Sequence, residues 1–117
     1  MLKRRPGLSH QDFLDHWHGV HGPLIANSEI ASLVQRYEQH PASWPMDPNG
    51  PEPEWDGVTI QEYATVEDFW AQVHLPDFAE VQADMEEFLD TGQMPWILLD
   101  EARVVIGSGD GTPGGPS

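Results

Sequence analysis

Apolar side chains recur every three or four positions from Phe13 onward. Phe13, Leu14, Trp17 and Val20, together with His21, form one stripe at helical spacing. Ser9 precedes the stripe and Asp12 follows three residues later, a variant of the capping box, so a helix is predicted to start at His10. Gly19 and Gly22-Pro23 weaken that helix, and a short helical piece is predicted over Leu24 to Ser28. The pattern then changes. Ser32 to Gln39 reads as a strand, and Val58 to Tyr63 as a second one, opened by Asp56-Gly57. Between them, His40 to Trp55 is rich in Pro, Gly and Asp and is expected to form a long loop. Thr65 with Asp68 caps a helix carrying Phe69, Trp70 and Val73, which Pro76 ends. Asp77 can start another, with Phe78, Val81, Met85, Phe88 and Leu89 as its apolar face. Trp96 to Ile106 is the last predicted strand region.

This order defines an α+β chain with one domain over residues 1–106. The stretch 107–117 is mostly Gly, Pro and Ser and buries too little apolar surface to order itself, so a disordered tail is expected. A ferredoxin-like arrangement needs one more strand before the first helix. Only Met1 to Arg4 is available for it, about half the usual strand length. That first strand is therefore short or truncated.

Composition narrows the function. Five Lys and Arg stand against twenty Asp and Glu. A field of that sign repels phosphate backbones and anionic lipid, so neither nucleic acid nor a membrane surface is an expected partner. With no Cys there can be no disulfide or thiolate chemistry. No apolar run follows the basic residues at the start and none is long enough to cross a bilayer, so a cytoplasmic location is expected. No Gly-rich loop follows a strand, so no nucleotide, flavin or other cofactor is expected.

Several segments together resemble one family. Lys3-Arg4-Arg5-Pro6-Gly7-Leu8-Ser9, followed by Phe13, Trp17 and His21-Gly22-Pro23, is similar to the amino-terminal signature of EthD-type proteins, where Pro-Gly-Leu-Ser leads into a helix bearing F-x-x-x-W-x-x-x-H-G-P. Asp56-Gly57-Val58, Glu67-Asp68-Phe69 and Glu86-Glu87-Phe88-Leu89-Asp90 resemble later parts of the same pattern. The resemblance implies a ferredoxin-like dimeric α/β barrel: an antiparallel sheet with two main helices, packed face to face with a second copy. Relatives include proteins of ether-degradation clusters and dehydratase-like or decarboxylase-like enzymes of aromatic polyketide pathways. Related dimeric barrels include polyketide cyclases, cofactor-free oxygenases and haem-handling proteins. Two departures stand out: the stunted first strand, and Ile60 and Glu62, which fall out of the family's order of acidic and aromatic positions.

His21 is the catalytic candidate. It lies near the Gly-Pro break, on the stripe of Phe13 and Trp17, and an imidazole there is suited to removing a proton beside a carbonyl. The structural alternative is a ring that bonds a backbone carbonyl and holds the turn. Phe13, Trp17, Tyr63 and Trp70 are the candidate substrate-binding residues, each with a competing role in the core or the sheet. His18 and His21 are neighbours on a regular helix while His16 points elsewhere; this spacing matches no zinc signature, and no metal is expected. His74 suits a helix-end cap, and His40 and Trp44 border the long loop. Asp84 with Glu87, and Glu86 with Asp90, read as a solvated helix face. The expected function is that of a cofactor-free lyase, dehydratase-like or cyclase-like, acting as a homodimer on an aromatic polyketide or similar carbonyl-rich compound. The alternatives are a non-catalytic protein that binds an apolar or aromatic small molecule, and a haem-handling or oxygenase-type barrel with His21 or His74 as axial ligand.

Overall fold

The computed structural model describes residues 1–43 and 47–107. Trp44 and the greater part of the expected tail, 108–117, lie outside the described residues.

The first helical segment begins where the capping box places it. In α1 (His10–His16) the Ser9 hydroxyl accepts from the Asp12 amide, and the Asp12 carboxylate accepts from the Ser9 amide. The helix does not stop at Gly19. It widens into a π turn, Trp17–His21, and continues as α2 (Gly22–Ala26). Proline explains the widening. Pro23 has no N–H to give the Gly19 carbonyl, and its ring crowds that position. The Gly22 N–H instead reaches back five residues to the Trp17 carbonyl.

A turn of 3₁₀ helix, Glu29–Ser32, leads into β1 (Val34–Pro41), which pairs antiparallel with β2 (Gly57–Tyr63). A bulge lies between Val34 and Arg36. Beyond it, Tyr37 pairs with Gln61 and Gln39 with Thr59, and these share a face with the helices. Val58 and Ile60 oppose His40 and Glu38 on the other face, where both apolar side chains are exposed. Next come α3 (Val66–Ala71), capped by Thr65, a 3₁₀ turn at Gln72–His74, and α4 (Phe78–Phe88).

Met1 to Arg4 does act as the stunted first strand. Leu2 bridges Gly57 and Arg4 bridges Leu89, both antiparallel, so the segment lies between β2 and the end of α4. The predicted last strand, Trp96 to Ile106, is not formed. A strand needs a neighbour to take its backbone groups, and among the described residues the first segment bridges Gly57 and Leu89 rather than any residue of 96–106. The consequence is an apolar stretch left in the open: Ile97 is 74% exposed and Ile106 93%.

Two groups of buried side chains form the core. Leu2, Phe13, Trp17, Phe88 and Leu89 make one, and Ile25, Ile30 and Val81 the other. Asp56, fully buried, pins the amino-terminal strand to α1. One of its oxygens accepts from the Arg4 amide at 2.8 Å, and the other meets Arg4 Nη1 at 2.9 Å and His10 Nδ1 at 2.7 Å. The architecture is α+β, a two-stranded antiparallel sheet backed by helices, compatible with a ferredoxin-like fold. Among the described residues, no helix is long and apolar enough to cross a membrane.

Candidate active site

The π turn decides which histidines meet. On a regular helix, residues five apart are separated by about 140°. With hydrogen bonds reaching five residues back, that separation narrows enough for the two side chains to lie on one face. His16 and His21 therefore share a face, and His18 leaves it, which reverses the grouping expected from regular helical spacing. His18 instead reaches β1, with Nδ1 2.6 Å from Gln39 Oε1.

Asp84, on α4, completes the arrangement. Its Oδ1 lies 2.9 Å from His16 Nε2, and its Oδ2 lies 2.7 Å from His21 Nδ1. An ionised carboxylate only accepts hydrogen bonds, so each imidazole presents a ring N–H to it. That fixes the neutral His21 tautomer with its proton on Nδ1 and leaves Nε2 as the basic nitrogen. Phe88 lies against both rings, its centroid 4.7 Å from His16 and 5.0 Å from His21.

His21 is only 5% exposed. Burial holds its pKa below the ordinary histidine value, against the opposing pull of the Asp84 hydrogen bond and charge, and nearby His16 adds to the depression. The side chain of Asp84 is more open, at 13%. It lines an open groove of about 570 Å³ with Gly19, Val20, Pro23, Leu24, Asn27 and Glu80. The groove thus meets the pair at its carboxylate, and the His21 ring lies behind.

The other candidates divide into two sets. Phe13 and Trp17 are fully enclosed, Phe13 packing on Trp17 at 5.0 Å and on Phe88 at 5.7 Å, so within one chain they support the histidine-bearing helix from beneath. Tyr63 and Trp70 belong to a different aromatic group. Tyr63 meets Phe69 edge-on, and Phe69 and Trp70 both pack near Trp96. The Tyr63 hydroxyl lies 2.6 Å from Gln61 Oε1, and burial raises its pKa. His40 sits in β1 beside Glu38, and His74 is exposed at the end of its 3₁₀ turn. Among the described residues, no group of three or more His, Cys, Asp or Glu side chains is placed to hold a metal ion.

Asp84 is the residue that sequence reasoning placed wrongly, on a solvated face. Its acidic neighbours Glu86 and Glu87 gave it the look of a surface position. The available signal was Pro23 below two glycines, which marks a break in helical register at the histidines.

A family model for the EthD domain matches residues 5–92. The chain belongs to the EthD domain family. Searches of curated proteins and of solved structures return no match.

Proposed function

We propose that this EthD-family protein is a cofactor-free lyase of dehydratase or cyclase type, acting on an aromatic polyketide or similar carbonyl-rich compound. The observation that carries this reading is the Asp84 carboxylate, which faces an open, partly apolar groove on one side and His21 on the other. A flat substrate would lie along Val20, Pro23 and Leu24. Its acidic C–H, beside a carbonyl, gives up a proton to the Asp84–His21 pair. The electron pair forms an enolate, and in a dehydration it expels hydroxide, which takes that same proton back from the pair and leaves as water. Asp84 is the group that takes the proton at the groove, the His21 Nδ1–H holds and orients its carboxylate, and the His16 ring N–H supports the other oxygen. Phe13 and Trp17 contribute by packing beneath the helix. Tyr63 and Trp70 provide a further aromatic surface for a ring-bearing ligand.

The working unit is proposed to be a homodimer. Val58 and Ile60 on the outer sheet face, and the uncovered stretch from Trp96 to Ile106, are the apolar surfaces that a second copy would cover. The depth of His21 favours a second reading, a ligand-binding protein without turnover. Thermal stabilisation by a hydroxyanthraquinone, a product-like ligand, separates the two when combined with turnover of a β-hydroxy aryl ketone, which carries the acidic C–H and the leaving hydroxyl. Conversion that is lost in His21→Ala at intact fold supports the lyase. Stabilisation without conversion, undiminished in His21→Ala, supports the binder and overturns the lyase.

A further inference from the structure

We propose that Gln39 is a positioning residue that holds the π turn in register and so keeps His16 and His21 on a common carboxylate. The functional meaning of this rests on the reading above, but its test does not.

Gln39 reaches across from β1 to the backbone of the π turn. Its Nε2 donates to the Trp17 carbonyl at 2.9 Å. That carbonyl is the one that accepts from the Gly22 N–H five residues ahead. A carbonyl oxygen has two lone pairs, and here both are used: one for the i+5 bond, one for the glutamine. In α register the same carbonyl would accept from the His21 N–H. A side chain from another element thus caps the atom where the two registers diverge.

The orientation of the amide is fixed. The Trp17 carbonyl can only accept, so it must face the NH₂ group, and Oε1 is left toward His18 Nδ1 at 2.6 Å. Nε2 also lies 3.3 Å from the Tyr37 hydroxyl. Gly22 makes the approach possible: a Cβ there would lie 3.1 Å from Gln39 Nε2 and 3.4 Å from the Trp17 carbonyl oxygen. None of these atoms touches Asp84 or the groove, so Gln39 acts through the helix backbone.

The test is histidine ring NMR on the full chain, comparing Gln39→Met, His18→Ala and the parent. In Gln39→Met the ring nitrogen signals of His16 and His21 are expected to shift. The His21 titration midpoint should move up toward an ordinary histidine as the ring gains solvent, and the Gly22 amide should exchange about tenfold faster. His18→Ala keeps the bond to Trp17 and should leave the Gly22 amide as in the parent. A folded Gln39→Met with unchanged His21 titration and Gly22 exchange overturns the proposal. Should that variant lose its cooperative transition, Gly22→Ala displaces the amide by another route and is read in the same way. In the parent itself, the Gln39 side-chain amide protons should exchange more slowly than those of exposed Gln35; equal rates also overturn the proposal. Loss of turnover in His21→Ala bears on the lyase alone, whereas these spectra bear on Gln39 alone.

Discussion

Asp84 stands 63 residues from His21 in the chain, and its Oδ2 lies 2.7 Å from the ring Nδ1. The contact joins the π turn to α4 and links a buried imidazole to a groove that its ring does not line. Replacing Asp84 separates orientation from burial. Asp84→Asn keeps the shape but can offer its NH₂ to His21, which then favours the opposite tautomer. Ring nitrogen shifts should report that change. Any carbon-acid activity should fall about 10²-fold or more, the scale of a positioned acid or base.

His21 gives a signed pH dependence. Its folded-state pKa lies below the ordinary value of 6.5 because of burial. The unfolded chain therefore binds a proton that the folded chain resists. This contribution to stability is present above the ordinary value and is lost as pH falls through the folded one. The thermal midpoint should drop between about pH 7 and about pH 5, and more steeply for the parent than for His21→Gln, in which this ring no longer titrates. Calorimetry across that range is the check.

Gly57 is where the sheet touches the helix layer. A Cβ built there would sit 2.8 Å from Trp17 Cη2 and Cζ3, and a buried indole has no free end to swing away. Gly57→Ala should cost about 1–3 kcal/mol, the range for overpacking a filled core. Denaturant titration should show a lower midpoint with little change in slope.

Asp56 is expected to matter more than its turn-like sequence context suggests. Asp56→Ala removes the side chain that joins the Arg4 amide and guanidinium to the His10 ring. The Arg4 side chain is 27% exposed and also reaches Glu52, so the expected cost is about 1–3 kcal/mol, that of hydrogen-bonded groups losing an acceptor. The amino-terminal strand should loosen first, seen as faster amide exchange at Leu2 and Arg5, whose N–H groups bond Gly57 and Phe88.

Local signals carried much of the fold. Ser9 and Asp12 marked the start of α1, Thr65 that of α3, and β-branched residues marked β2, because each of these features acts within a few residues. What stayed hidden depended on distant partners. Trp96 to Ile106 has strand composition, but among the described residues no strand lies beside it to take its backbone groups. The meeting of His16 with His21 was hidden because a regular helical period groups His18 with His21, and only the missing N–H of Pro23 hints otherwise. Asp84 could not be singled out among its acidic neighbours without knowing what α4 packs against. His21 itself stood out through its Gly-Pro context.

The outer face of the sheet offers a direct check on assembly. Ile60 is exposed in the single chain and lies on the face proposed to be covered by a second copy. Ile60→Asp should shift light-scattering mass from dimer to monomer, while a parent chain that is monomeric at high concentration removes the dimer from the account.

The central claim is that the His21–Asp84 pair takes a proton from carbon. Hydrogen–deuterium exchange at the carbon between the carbonyls of an aryl 1,3-diketone, followed by NMR in heavy water, measures this step alone. The protein is expected to accelerate the exchange, and His21→Gln and Asp84→Asn to lose most of that acceleration while remaining folded. Equal rates with parent and variants, or no acceleration by the parent, would contradict it.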